Sequence, residues 1–314
     1  MSADILKFPN SEVGEAQTDF NDPELEQTLA QRFGQERIGQ LCLDYFTDEL
    51  GIDVSELAHG REYLVAYIPA DSKYSDIPRA VETIEFAEYF KLSKAEVLHD
   101  YGAYDAASTF VSVIDISRSV PVSAGVVRMV DYDPAVGFKD VNDLLVDDPK
   151  NPWIQEIKDG YFAKDEIYDP VTAWQRLGEL EGVYLDLEDS IDVATHASAE
   201  AYRGRRGAIN GVSMLFYHAC LVRAKQLKKN NLLAIFDLPP LENLQQYGSP
   251  FNTYRHLSPH PYGGDGDTIP AFCDIKVGEK RMRKFDEGIG RVFIDGEGLD
   301  INAIMPDEYT AEQS

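Results

Sequence analysis

The stretch from Ile191 to Asp237 decides the fold: IDVATHASAE (191–200), AYRGRRGAING (201–211), VSMLFYHACLVRAKQLKKN (212–230) and NLLAIFD (231–237). Apolar and polar residues alternate in its first part, arginine and glycine fill the next, and apolar residues then recur at helical spacing before a short apolar run. This order predicts a strand, a turn, a helix and a second strand. A helix that begins after such a turn presents unpaired backbone N–H groups and its positive dipole end to a phosphate.

The second feature of this stretch is its charge. The chain has 55 acidic residues among 314, so about six are expected between residues 201 and 236, and none occurs there. The same positions hold seven cations, namely Arg203, Arg205, Arg206, Arg223, Lys225, Lys228 and Lys229. In a chain of formal net charge -26, the absence of acidic residues from this segment indicates a site for an anionic ligand.

Composition excludes several classes of protein. The net charge of -26 argues against a nucleic-acid partner, because nucleic acids are held chiefly through cationic contacts with their phosphates. No run of 18 apolar residues and no signal-peptide pattern is present, so we expect a cytoplasmic protein without a membrane span. The three cysteines, Cys42, Cys220 and Cys273, are far apart, which predicts neither a disulfide framework nor a C-x-x-C metal site.

Periodicity predicts the elements around this central stretch. They are helices over Pro23–Leu50 (divided near Gly34) and Pro78–Phe90, a strand over Glu62–Ala70, a hairpin of Ser108–Ser117 and Val122–Tyr132, a loop over Ser249–Thr268, a strand over Ile269–Val277, a helix over Gly278–Glu287 and a last strand over Arg291–Ile294. We therefore divide the chain into a disordered tail (1–22), an N-terminal helical extension (23–60), one main domain (61–300) and a C-terminal tail (301–314).

The central stretch resembles the coenzyme A binding core of the GNAT acyltransferase superfamily, and the hairpin from Thr109 to Tyr132 resembles that family's second and third strands. The family's loop has the pattern Q/R-x-x-G-x-G/A. When Arg203 is aligned with its first position, Arg206 of this chain occupies the first glycine position and Gly207 follows one residue later. The resemblance implies an α/β (α+β) fold with a central mixed sheet flanked by helices. It implies a cofactor-binding turn made of Arg203, Gly204, Arg205, Arg206, Gly207, Ala208 and Gly211.

A narrower resemblance concerns HDYGAYDAASTFVSVID (99–115) and AGVVRMV (124–130). These segments are similar to the acyl-homoserine-lactone synthases and the long-chain N-acyl amino acid synthases, which have an acidic motif before the first hairpin strand and an arginine on the second. Asp100, Asp105 and Arg128 take those places. The resemblance implies substrate-binding roles for Asp105 and Arg128, and acyl carrier protein as an alternative donor.

Candidates for the chemistry lie near the central strand. Acyl transfer to an amine needs a base for the ammonium proton and a donor to the leaving thiolate. Asp192, His196 and Glu200 are the candidate bases, and His196 has the unperturbed pKa nearest neutrality. Tyr247 stands where the resemblance places a general acid. A purely structural role for His196 and a packing role for Tyr247 stay open as alternatives.

The sequence thus predicts an N-acyltransferase that uses acyl-CoA, acetyl-CoA or an acyl carrier protein thioester, with a small-molecule or amino acid amine as acceptor and no metal. Ser198, with Thr195, is expected to orient the acyl group, and Tyr254 to form a pocket wall in the long loop. His256 and His260 are separated by Pro259, which argues against a shared zinc. The alternative is a non-catalytic protein that binds acyl-CoA or another anion as a sensor or structural partner.

Overall fold

A computed structural model describes residue 20 and residues 22–53, 63–203, 211–248, 251–262, 266–297, 299 and 303–304. Within them the chain forms two compact units. Unit one contains the described residues within 130–194 and 227–290, and unit two contains the described residues within 20–129, 195–226 and 291–304. The predicted tails and the turn of Gly204–Asn210 lie outside the described residues, except for the few positions given above.

The helices in the described residues are α1 (Pro23–Arg32), α2 (Gln35–Asp48), α3 (Asp76–Phe90), α4 (Lys94–Gly102), α5 (Lys139–Leu145), α6 (Ile154–Tyr161), α7 (Pro170–Glu181), α8 (Gly211–Gln226), α9 (Leu238–Gln246), α10 (Ile275–Phe285) and α11 (Glu287–Asp295). The strands are β1 (Tyr63–Pro69), β2 (Ser108–Asp115), β3 (Val122–Asp131), β4 (Ser190–Ser198), β5 (Asn231–Asp237), β6 (Asn252–Thr253), β7 (His260–Pro261), β8 (Asp267–Asp274) and β9 (Ala303–Ile304).

In unit two, the N-terminal helices pack on the sheet. Asp22 caps α1 by accepting from the backbone N–H of Glu24, and Pro23 occupies the first turn, where its missing N–H has no cost. Phe33 is the C-cap of α1 and Gly34 the N-cap of α2, so the stretch divides into two helices near Gly34, as predicted. Phe33 and Phe46 of these helices join Leu64 of β1 in one buried cluster, so the helices contribute to the core of unit two.

The two units contain both parallel and antiparallel strand pairs. In unit two, β1 is antiparallel to β2 and parallel to β9. In unit one, β5 pairs in parallel with β4 and antiparallel with β8, which also carries β6 and β7. The predicted α/β class with a mixed sheet and flanking helices is confirmed.

The order β4, α8, β5 confirms the central prediction. The stripe predicted on α8 is buried at each position, namely Val212, Leu215, Phe216, Ala219 and Cys220. In β4, Asp192 and Thr195 are fully buried although alternation places them on opposite faces of the strand. Both faces of this strand are covered over part of its length, so its polar side chains require partners inside the protein.

The last predicted strand is wrong, because Arg291–Ile294 belongs to helix α11. The side chain of Asp286 accepts a hydrogen bond from the N–H of Ile289 and so satisfies one of the unpaired donors at the start of this helix. The long loop Ser249–Thr268 also contains more structure than predicted, since β6 and β7 both pair with β8.

Candidate active site

In unit one the parallel pair β4 and β5 opens after three residue pairs. Ser190, Ile191 and Asp192 pair with Asn231, Leu232 and Leu233, and the ladder ends there although both strands continue. The N–H of Ile235, which lies beyond this point on β5, donates instead to Oδ2 of Asp140 at 2.7 Å. A carboxylate from α5 therefore occupies a place where the neighbouring strand would otherwise accept.

Asp140 also contacts Asp192, the last paired residue of β4, and we call these two residues the aspartate pair. The N–H of Asp140 donates to Oδ2 of Asp192 at 3.0 Å, which brings the two buried residues together. Oδ1 of Asp192 has no hydrogen-bond partner among the described residues, although the side chain is fully buried. Two carboxyl groups buried near each other favour a state in which one of them holds a proton.

Burial raises the pKa of both members of the aspartate pair. For Asp140 the pKa rises well above its ordinary value, first because of burial and then because of the negative charges of Asp192 and Asp143. For Asp192, burial outweighs the hydrogen bonds from Asp140 that lower the pKa, and the result is a value of about 7. A buried carboxyl group that titrates near neutrality is suited to take or give a proton at physiological pH.

The groups around the aspartate pair are charged or aromatic. Nζ of Lys139 lies 2.6 Å from Oδ2 of Asp143, and the hydroxyl of Tyr262 donates to the same carboxylate. On another side, Asp140 lines a small cavity of about 10 Å³ together with Ile235 and Tyr254. Tyr254, predicted to form a pocket wall, is thus placed beside a carboxylate that sequence analysis did not identify.

Unit two holds a different set of buried charges, the Arg128 cluster of Arg79, Glu82, Asp105 and Arg128. The guanidinium of Arg128 is fully buried and binds Glu82 through two bonds of 2.9 Å and 2.7 Å. Its third nitrogen binds Asp105 at 2.8 Å, and Arg79 reaches the same aspartate at 2.7 Å. The structure therefore brings the predicted pair Asp105 and Arg128 together.

Every nitrogen of the Arg128 guanidinium donates a hydrogen bond within the Arg128 cluster. Its three nitrogens all donate to acidic side chains, and its guanidinium lies 4.5 Å from the ring centre of Phe110. Thr195, expected to orient an acyl group, donates to Oε1 of Glu82 at 2.7 Å instead. Although burial lowers the pKa of Arg128, Glu82 and Asp105 raise it overall.

The two candidate bases at the end of β4 differ in their surroundings. His196 lies against the rings of Phe216 and Tyr217, and its buried Nε2 has no hydrogen-bond partner among the described residues. Burial lowers the pKa of His196 to about 4, so its ring is neutral at pH 7. Glu200 is exposed, and its backbone N–H donates to Glu85 at 3.2 Å.

Arg203 is the one member of the predicted phosphate-binding arginines within the described residues. Its guanidinium forms an ion pair with Glu85, and its Nε donates to the carbonyl of Ser198 at 3.1 Å. The structure thus places Arg203 beside Ser198, which was predicted to bind substrate. The predicted residues Gly204, Arg205, Arg206, Gly207 and Ala208 lie outside the described residues, and Gly211 is the first residue of α8.

Tyr247 follows the last residue of α9 and caps that helix through its backbone N–H, which donates to the carbonyl of Leu244 at 3.0 Å. Its side chain is half-buried. The catalytic role of Tyr247 stays a prediction, as do those of His196 and Glu200.

Two general features of the described part of the chain bear on its chemistry. No helix there is both long and apolar enough to cross a membrane. In the same residues, no three histidine, cysteine, aspartate or glutamate side chains are grouped so as to hold a metal ion. His260 instead contacts Glu156, with 3.1 Å between Nε2 and Oε1.

No protein-family model matches the chain, and no curated protein matches it. Among solved structures, it is similar to a CoA-dependent acyl-homoserine lactone synthase, BjaI, with SAM and isopentyl-CoA, at 10% identity and a TM-score of 0.44 over 79% of this chain and 98% of that one. It is also similar to FeeM, an N-acyl amino acid synthase from uncultured soil microbes, at 11% identity and a TM-score of 0.44 over 72% and 98% of the two chains. These are the two groups that the sequence resembles.

Proposed function

We propose that the protein is an N-acyltransferase that moves an acyl group from acyl-CoA, acetyl-CoA or an acyl carrier protein thioester to the amine of a small molecule or amino acid. The observation that carries the proposal is the opening of β4 from β5 after Asp192, which leaves Val193 and Ala194 outside the ladder with β5. A free strand edge offers backbone N–H and C=O groups to an extended ligand. A pantetheine arm, with its amide groups, is such a ligand.

The charge of the following segment supports the same proposal. Residues 201–236 contain seven cations and no acid, in a chain whose net charge is -26. Arginine forks and unpaired amides at the start of a helix bind phosphate groups. We therefore assign Arg203, Arg205 and Arg206, with Gly204, Gly207, Ala208 and Gly211, to the phosphates of the donor.

The test begins with release of free thiol from acetyl-, octanoyl- and palmitoyl-CoA in the presence of a panel of amines. An active enzyme releases thiol only with donor and acceptor together and forms the corresponding amide, detected by mass spectrometry. Thiol release that does not depend on the amine would indicate hydrolysis and contradict the proposal.

Substitution of the arginines tests the donor site itself. Arg205→Ala should weaken octanoyl-CoA binding by about 1.5 to 3 kcal/mol, the range for a hydrogen bond to a charged group. Arg203→Ala should weaken it less, because Arg203 already pairs with Glu85. Isothermal titration calorimetry gives both values. Arg176→Ala, which removes a cation paired with Glu166, is the control and should leave affinity unchanged.

The ion pair between Arg203 and Glu85 favours a second candidate, a protein that binds acyl-CoA without turnover. An arginine that is held by a carboxylate has to exchange that partner before it binds phosphate. Tight binding of octanoyl-CoA without thiol release in any pairing would support this sensor or structural role.

A further inference from the structure

Neither packing nor charge pairing accounts for the aspartate pair of Asp140 and Asp192. Two carboxyl groups are buried next to each other here, although an apolar or amide side chain would avoid the repulsion. Oδ1 of Asp192 is buried without a partner, and in the described residues nothing donates to it. Such an orphan atom calls for an explanation, and a catalytic role is one that fits a carboxyl group.

The position of the pair provides that explanation. Asp192 is the last residue of β4 paired with β5, and Asp140 accepts from Ile235 at the opening between these strands. Asp192 therefore lies directly before Val193 and Ala194, the edge that a donor would follow. We propose that Oδ1 of Asp192 is the proton acceptor for the ammonium group of the incoming amine, with Asp140 as the residue that positions it. This inference rests on the proposed acyltransferase function.

The proton and electron balance is complete without another reactant. The ammonium nitrogen gives one proton to Asp192, and its lone pair forms a bond to the thioester carbonyl carbon. The C–S bond then breaks, the sulfur leaves with the electron pair, and the second proton of the amine nitrogen goes to the thiolate. Amide and free thiol are the products, and Asp192 returns its proton to solvent before the next cycle.

The groups that face the aspartate pair set its ability to take a proton. Burial and the charge of Asp143 raise the pKa of Asp140, whereas Lys139 lowers it. Tyr262 donates to Asp143, and Tyr254 lines the cavity next to Asp140. Burial raises the pKa of both phenols, so both are neutral at pH 7. The pKa of Asp192, about 7, leaves a substantial fraction of that carboxyl group ionised at neutral pH.

The experiment compares wild type with Asp192→Asn at several pH values, using octanoyl-CoA and two nucleophiles. One is the best alkylamine of the thiol-release assay, which arrives as an ammonium ion, and the other is hydroxylamine, which is largely unprotonated at neutral pH. With the alkylamine, Asp192→Asn should lower kcat/KM by about 10²- to 10⁴-fold and abolish the fall in rate below pH 7. With hydroxylamine the loss should be much smaller, since no ammonium proton has to be removed first.

Controls separate this role from a structural one. Octanoyl-CoA affinity and the circular dichroism spectrum should match wild type in Asp192→Asn. Asp165→Asn removes an exposed aspartate and should change nothing. Asp140→Asn should shift the pH midpoint of kcat/KM with a smaller loss of rate, as expected of a positioning residue.

Two results would overturn the inference. Equal losses with both nucleophiles, or a wild-type pH profile in Asp192→Asn, would show that the aspartate is not the proton acceptor while leaving the acyltransferase function intact. A wild-type protein that binds no acyl thioester and releases no thiol would instead contradict the proposed function, and the inference would fall with it.

Discussion

The Arg128 cluster and the aspartate pair are both buried sets of charges, and they are built in opposite ways. In the first, two arginines meet two acids, and Arg128 and Glu82 share two short bonds at 0% and 1% side-chain exposure. In the second, two acids meet each other, and one oxygen has no partner among the described residues. The same strand, β4, supplies Thr195 to the first set and Asp192 to the second.

This difference separates a structural use of buried charge from a functional one. When all hydrogen bonds of an ion pair are formed, the pair can be buried at little net cost in stability. Removing one partner then leaves an uncompensated buried charge. Two carboxyl groups buried near each other lower the free energy of unfolding whenever both are ionised. A site that lowers stability and titrates near neutrality is typical of an active site, where stability and function compete.

The largest expected effect is in the Arg128 cluster. Arg128→Met keeps much of the side-chain volume but leaves the fully buried Glu82 without its cation. We expect the free energy of unfolding to fall by about 3 to 5 kcal/mol, the range for breaking a buried pair. Urea unfolding followed by circular dichroism measures the change.

A surface pair supplies the control for this prediction. Arg283 contacts Glu287 at 3.3 Å with 35% and 63% side-chain exposure, so Arg283→Gln should change stability by less than about 1 kcal/mol. Similar losses in the two variants would mean that burial does not distinguish the Arg128 cluster from a surface pair.

The sequence predicted most elements because their signals are local. Asp22, Pro23 and Gly34 define the N-terminal helices through caps and first-turn preferences that act over a few residues. The error at Arg291–Ile294 has a local cause as well. An apolar run of this length fits a strand or a helix, and the capping contact between Asp286 and Ile289 decides for the helix.

The candidate site was only partly predictable, because its decisive contacts join residues far apart in the chain. Asp105 and Arg128 were identified through a family resemblance, whereas their buried partners Arg79 and Glu82 lie one turn apart on α3 and read as ordinary helix charges. Asp140 and Asp192 are 52 residues apart, and Asp140 lies in a segment with weak periodicity. Their shared burial follows from how the chain packs, which no local pattern contains.

Neutralising a residue of the aspartate pair should raise the free energy of unfolding, whereas Arg128→Met should lower it. Because the folded-state pKa of Asp192 is about 7 and its ordinary value is 3.8, folding favours its protonated form, and its unfavourable contribution grows as pH rises from about 4 to 7. Asp192→Asn removes that contribution. At pH 8 we expect the variant to be more stable than wild type by up to about 4 kcal/mol, since the folded-state pKa lies about 3 above the ordinary value and each pKa unit corresponds to about 1.4 kcal/mol.

The pH dependence checks the origin of this gain. The difference in unfolding free energy between Asp192→Asn and wild type should shrink as pH falls from 7 toward 4, where the wild-type carboxyl group is protonated in the folded state. Urea titrations at pH 5, 6, 7 and 8 measure it. A variant that is less stable than wild type at pH 8 would contradict the view that the pair costs stability.

The smallest effect concerns Thr195, which supports the Arg128 cluster without carrying charge. Thr195→Val keeps the shape of the side chain and removes one hydrogen bond to Glu82, whose Oε1 still accepts from Nε of Arg128 at 2.9 Å. Because no charge is left unpaired, we expect the free energy of unfolding, measured in urea, to fall by about 1 kcal/mol, well below the loss in Arg128→Met.

Thr195→Ser retains the hydroxyl and should recover most of the hydrogen-bond contribution. In the double variant with Glu82→Gln, the two losses should not add, since both substitutions act on one contact. Additive losses, or a cost in Thr195→Val that equals that of Arg128→Met, would show that Glu82 does not depend mainly on its arginine.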